Sequence, residues 1–214
     1  MAIVTGVKKQ RGFMIVEIDD EPSLRIPISV YRERPLQAGD AYDAESYDDW
    51  LSTREYPHAL ERAVAFLAGR ARTEHELLMC LKRCGYTERA IARVMQRLSQ
   101  AGYINDAQFA DQWTLARTSR AIGKRRIAQE LRQKGVNSEA IDAAMAQIDE
   151  DDMLDAATVL ARKLLARARG KDERDVRRKV TAALMRRGYD YATARQALDA
   201  ADDDDADEAE GFDP

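Results

Sequence analysis

At a regular interval along this chain of 214 residues a leucine stands four places before a glycine: Leu81-Lys-Arg-Cys-Gly85, Leu131-Arg-Gln-Lys-Gly135 and Leu184-Met-Arg-Arg-Gly188. The glycines are 50 and 53 residues apart. Four residues before each leucine comes another apolar residue, Leu77, Ile127 or Val180, and that spacing puts each pair on one helix face. A glycine at this point supplies the left-handed residue that closes a helix. The next residue, Tyr86, Val136 or Tyr189, is the apolar partner such a closure often carries. A period near fifty predicts a repeat architecture in which each unit buries its face against its neighbours.

Each closing helix is flanked by two more. Before it lie Leu60/Val64/Phe66/Leu67, Phe109/Trp113/Ala116 and Val159/Leu160/Leu164. After it lie Ile91/Val94/Met95/Leu98, Ile141/Ala144/Met145/Ile148 and Ala194/Ala197/Leu198. The expected fold is mainly α: three tandem three-helix repeats, over 57–103, 104–149 and 152–200, forming an elongated curved array. Thr73-Glu-His-Glu76 and Asn105-Asp-Ala-Gln108 read as capping boxes, and Asn137 and Asp190 as caps. Pro57 suits a first helical residue, and Gly102 and Gly170 punctuate the remaining joints.

Residues 1–50 differ. They hold the β-branched runs Ile3–Thr5, Phe13–Ile18 and Leu24–Val30, which predict a β-hairpin or three-stranded element with a turn over Asp19–Ser23. Leu24, Ile26, Ile28 and Val30 alternate, so one face of the third strand should be buried, and Pro27 argues that it is an edge. So small a sheet is marginal alone and must pack on something or hang as an appendage. At the other end, Asp199–Pro214 has nine acidic residues and no basic one, which predicts a disordered acidic tail over 201–214.

The net charge of −4 therefore hides a segregation. It is −4 over 1–56, +9 over 57–198 and −9 over 199–214. A basic body fits a polyanion or an acidic protein surface as partner. Two cysteines, Cys80 and Cys84, exclude a disulfide scaffold, and the chain lacks a signal-like start and a membrane-length apolar run, so a cytoplasmic protein is expected.

Nothing points to catalysis. Two histidines, His58 and His75, leave little for acid–base chemistry, and no nucleophile elbow, zinc-helix or phosphate-loop motif occurs. Cys80 and Cys84 share a helix face, but no second ligand pair exists and structural zinc wants four ligands. No metal or cofactor is expected. Phe109 and Trp113 could stack on bases, yet their place on the apolar stripe favours core packing.

The cations carry more information. Between Arg162 and Arg195 lie 12 basic and 4 acidic residues. With the apolar face of the Ile127–Leu131 helix at zero, Arg125 and Arg132 fall opposite and Arg126 to the side. On the Val176–Leu184 helix Arg178 is opposite, with Lys179 and Arg186 beside it. These six, with Arg120 and Lys124, are the candidate partner- or DNA-binding residues, because a field of one sign attracts polyanions. The competing reading is a merely solvated face.

Three segments resemble a known family. The stretch Arg72–Gly85 is similar to one ending E-L-x-x-x-L-x-x-x-G. Gly102-Tyr-Ile-Asn-Asp-Ala-Gln-Phe-Ala110 looks like G-Y-L-[DN]-D-x-x-[FY]-A, and Gly123–Gly135 looks like G-x-x-x-I-x-x-E-L-x-x-K-G. These are marks of the RecX regulators of bacterial RecA recombinase, in order and correctly spaced over about residues 57–200. The resemblance implies a non-enzymatic, monomeric protein of recombination, DNA repair and the SOS response. It would bind the RecA–DNA filament and suppress its growth, strand exchange and coprotease activity. Direct binding of single-stranded DNA or RNA without RecA is the alternative, and a protein-only adaptor is a third reading. The −9 tail could fold back on the +9 body and compete with an anionic partner.

Overall fold

The computed structural model describes the backbone of residues 2–168 and 172–210, and the side chains of these except Pro22 and residues 203–210. Gly170, expected to punctuate a joint, lies outside the described residues, as do the neighbouring Arg169 and Lys171 of the basic run between Arg162 and Arg195. The chain divides into two compact units, 1–105 and 106–214.

The first unit opens with strands β1 (Ala2–Gln10), β2 (Phe13–Ile18) and β3 (Glu21–Pro27). Two tight turns join them, Arg11-Gly12 (φ 42° and 89°) and Asp19-Asp20 (φ 49° and 68°). Left-handed residues in both turn positions match the right-handed twist of paired strands. Asp19 adapts to this conformation by accepting the Ile3 N–H on its carboxylate at 3.0 Å. After the short helix α1 (Ile28–Tyr31), strand β4 (Ala41–Tyr42) completes an antiparallel sheet in the order β3-β2-β1-β4.

Pro27 does sit on an edge strand, but the third strand lies three residues earlier than expected, so the turn before it is Asp19-Asp20 rather than Asp19–Ser23. The strand ends at Pro27, which cannot donate to a ladder, and the chain turns helical at once. Ile26 and Val30 are buried while Leu24 and Ile28 are only half-buried, so the alternation across 24–30 does not hold.

Helix α2 (Ala44–Ala68) overturns another expectation. Pro57 is not its first residue: the helix begins at Ala44, capped by the Asp43 carboxylate, and Pro57 lies inside it on the solvent side. An interior proline removes one backbone bond at a cost of about 3 kcal/mol. Burial of Tyr47 and Leu51 before it and of Ala59 and Ala63 after it offsets that, at roughly 1.5–3 kcal/mol for each large side chain. Tyr47 and Leu51 pack with Val4, Val16 and Ile26 of the sheet. Ala59 and Ala63 pack with Leu77 and Leu81 of α3 (Glu74–Cys84) and Ile91, Val94 and Leu98 of α4 (Glu88–Gln100). One helix thus serves both cores of the unit, and the sheet is anchored rather than pendant.

The second unit holds two helix triplets. The first is α5 (Asp106–Thr118), α6 (Lys124–Gln133) and α7 (Ser138–Ala146). The second is α8 (Glu150–Ala166), α9 (Glu173–Arg186) and α10 (Tyr191–Glu210). Phe109, Ile127, Leu131, Val136 and Ile141 form the core of one; Ala157, Val180, Leu184, Tyr189 and Ala197 that of the other. All three closing glycines are left-handed, with φ of 82°, 79° and 97°. Val136 N–H returns to the Leu131 carbonyl and Tyr189 N–H to that of Leu184, which is the closure the leucine–glycine spacing predicts. Thr73, Asn137 and Asp190 cap as read, each accepting a backbone N–H three residues on.

Helix α10 carries its backbone past residue 200 to Glu210. Ala201 is buried in the core, and Arg177 of α9 pairs with both Asp199 and Asp202. The acidic stretch therefore starts as helix; residues 211–214 lie outside the described residues. No helix among the described residues is long and apolar enough to cross a membrane.

Candidate partner-binding surface

The candidate cations divide by what their side chains already hold. At the start of α6, Gly123 N–H donates to the Arg187 carbonyl at 3.0 Å and Arg125 N–H to the Gly188 carbonyl at 3.1 Å. The α6 start and the α9 end thus touch backbone to backbone. A Cβ on Gly123 would run into the Gly188–Tyr189 peptide, and one on Gly188 into Arg126. Arg126 donates to the Arg186 carbonyl at 3.3 Å and pairs with Glu130 at 3.4 Å. Arg187 answers by donating to the Arg120 carbonyl at 2.9 Å, and Lys124 pairs with Glu150 of α8 at 3.3 Å. Arg126 and Lys124 are therefore engaged in joining the two triplets.

Arg125, Arg132, Lys179, Arg186 and Arg120 are exposed, and among the described residues their side chains make no ion pair. Arg178 is exposed and pairs with Asp175 one turn back at 2.8 Å. Asp190, which lines a cavity with Arg125, is held below the ordinary carboxyl range, chiefly by accepting the Thr193 N–H and to a lesser degree by the Arg125 charge.

Glu130, which sequence reasoning passed over, is the hub of this surface. It accepts from Trp113 Nε1 at 3.1 Å and Arg117 Nε at 2.7 Å, and pairs with Arg126. Burial would raise its pKa, but the hydrogen bond and charge of Arg117, with Trp113 and Arg126, outweigh burial and lower it. Phe109 and Trp113 stack at 5.7 Å between centroids. Arg117 and Lys134 stand over the Trp113 ring at 4.2 and 4.5 Å. That ring is already occupied by protein cations, as core packing rather than base stacking requires.

An arginine also meets the closing glycine of the first unit. Arg25 of β3 donates to the carbonyls of Arg83 and Cys84 at 3.2 and 3.3 Å, lies over the Phe13 ring, and leaves no space for a Cβ at Gly85. Beside it the buried Glu55 accepts the Thr87 N–H at 2.8 Å at the start of α4. Cys80 is buried and Cys84 half-buried. Among the described residues no three His, Cys, Asp or Glu side chains are placed to hold a metal.

Sequence comparison places known domains on these triplets. Residues 59–98, 105–145 and 150–198 match the first, second and third three-helix domains of RecX, in that order. The chain belongs to the RecX family of regulatory proteins. A RecX regulatory protein of Mycolicibacterium vanbaalenii is 39% identical over 150 residues, covering 67% of this chain and 82% of that one. That of Mycolicibacterium smegmatis is 38% identical over 163 residues, covering 74% and 86%. A RecX crystal structure at 24% identity superposes with a TM-score of 0.65 over 93% of this chain and all of its own, which shows a shared fold. The third RecX domain, whose motif is faint in this sequence, is thus present, and its helices are α8, α9 and the first turns of α10.

The RecX-like motif residues do structural work here. Gly123 and Gly188 allow the triplets to meet, Glu130 ties α5 to α6, and the leucine–glycine pairs close the helices. The exposed cations lie between these motif positions.

Proposed function

We propose that this chain docks on the RecA–DNA filament through the exposed cations of its second unit and restrains filament growth, strand exchange and coprotease activity. The observation that carries the reading is the run of three RecX domains in family order along the chain. Arg125, Arg132 and Lys179, exposed and without internal ion pairs among the described residues, support it, since such groups can meet acidic side chains or phosphates without first breaking a bond to their own protein. The protein acts by binding, as a monomer in the cytoplasm, in recombinational repair and the SOS response. A regulator of this kind needs only different affinities for two filament states.

The test is RecA-driven ATP hydrolysis on single-stranded DNA with the protein titrated in. Inhibition at or below equimolar protein is expected; no effect at those levels overturns the reading. The same cations favour one second reading, direct binding of single-stranded nucleic acid. A gel shift comparing naked single-stranded DNA with a RecA filament separates the two, because only the second reading gives equal retention on both.

A further inference from the structure

A groove crosses the second unit between α5 and α8. Two adjoining cavities of about 510 and 600 Å³, sharing Thr118, Ser119 and Ala156, make it up. Its lining is largely apolar. Leu115 of α5 and Val159 of α8 are 74% and 47% exposed, and Leu160 lies in the same wall as Val159. Large aliphatic side chains gathered in an open groove leave apolar area that a partner can cover.

The two ends of the groove carry opposite charge. Asp111, Asp149 and Asp152 line one. Arg120, Lys163, Arg167 and Arg187 line the other, against the single acid Asp155. Among the described residues Arg120, Lys163 and Arg167 make no ion pair. The Thr114 hydroxyl, buried in the wall, has no hydrogen-bond partner among the described residues. A helical threonine commonly returns its hydroxyl to the carbonyl four residues back, as Thr158 does to Leu154 at 2.9 Å.

We propose that this groove receives an acidic protein segment with an apolar anchor: the anchor covers Leu115 and Val159, and its carboxylates meet Arg120, Lys163 and Arg167. The proposal rests on the filament reading for its partner, so the segment belongs to the RecA surface. Charge separates this occupant from nucleic acid. A phosphate strand is anionic at every step, and one laid along the groove would pass from the cations onto three carboxylates. A peptide can place its acids at the basic end and a neutral or basic residue at the other. The aliphatic lining likewise offers a phosphate nothing and an apolar side chain a seat.

The experiment uses the full chain with the photo-crosslinking residue p-benzoylphenylalanine at position 115 or 159, mixed with RecA filaments on single-stranded DNA. Irradiation should join it to a RecA segment in which carboxylates flank an apolar residue. In parallel, Lys163→Glu with Arg167→Glu should weaken filament binding by about tenfold or more, with thermal unfolding unchanged. Cross-links to DNA, to a second copy, or to residues 203–214 of the same chain overturn the proposal, as does unchanged binding by the double reversal. If the chain binds filaments but the residue at position 115 or 159 cross-links elsewhere, only this inference fails. If the folded chain binds no filament, the filament reading fails and this one with it.

Discussion

The Arg126 guanidinium donates to the carbonyl of Arg186, 3.3 Å away, and its stem lies where a Cβ on Gly188 would have to go. Two triplets are joined by contacts that tolerate no added methyl. Gly188→Ala meets both a left-handed backbone, φ 97°, and Arg126, so it should cost at least about 2 kcal/mol. Gly123→Ala has an ordinary φ but strikes the Gly188–Tyr189 peptide, and about 2 kcal/mol is expected from overpacking. Gly69→Ala is the control: its φ is −79° and nothing lies within 4 Å, so it should stabilise by about 0.5 kcal/mol. Urea unfolding curves check all three.

Much of this was legible in the sequence. Leu131 and Gly135 alone announce a helix, its buried face and its end, because one spacing determines all three. The Arg126–Gly188 contact was not, since it joins residues 62 apart in the chain and a helix wheel sees only its own helix. The wheel put Arg126 beside the outward face and could not tell a solvated guanidinium from one spent on a carbonyl. Pro57 misled for a related reason: a proline favours a helix start locally, and only the burial of Tyr47 and Leu51 upstream overrides it. The glutamate in the Gly123–Gly135 motif was the available clue to Glu130.

Glu55 makes stability depend on pH. Burial raises its carboxyl above the ordinary range, with the Thr87 N–H opposing in part. The folded state then binds the proton more tightly than the unfolded chain, so stability falls as pH rises from about 4.3 through the folded value. Glu55→Gln keeps an acceptor for Thr87 and removes this term. The variant should gain on the wild type as pH climbs from about 4 towards neutrality, and chemical denaturation across that range measures the gain.

Glu130 has the opposite sign. Its lowered pKa gives stability that is present above the ordinary carboxyl range and lost as pH falls through the folded value. Glu130→Gln should cost about 1–2 kcal/mol at neutral pH, since hydrogen bonds to charged partners are lost on a side chain only 21% exposed. The two proteins should converge in denaturant midpoint only once pH has fallen below the folded value, which lies under the ordinary carboxyl range.

Charge reversal at Arg132 and Lys179 should leave stability within about 0.5 kcal/mol per site, because neither makes an ion pair among the described residues; at Arg125 it also sets a like charge beside Asp190, so a somewhat larger loss is expected there. Inhibition of RecA-driven hydrolysis should weaken, and weaken further with added salt in the wild type. Full inhibition by the triple variant would assign these cations to a merely solvated face.

Removing residues 203–214 takes away seven acidic side chains yet keeps Ala201 in the core and both carboxylates on Arg177. Filament binding should tighten at low salt and change little at high salt, where long-range attraction is screened. Titration at two ionic strengths reads this directly; equal affinities at low salt would show that the tail does not compete.

Because α2 presents Tyr47 and Leu51 to the strands and Ala59 and Ala63 to the helices, the amino-terminal sheet cannot be trimmed away like a tag. A chain shortened to residue 44 would carry a naked, greasy handle in front of Pro57 and would clump. Loss of the strands and loss of that helical half must therefore happen together, and a shortened protein intended for the bench is better begun at Pro57 than at Ala44.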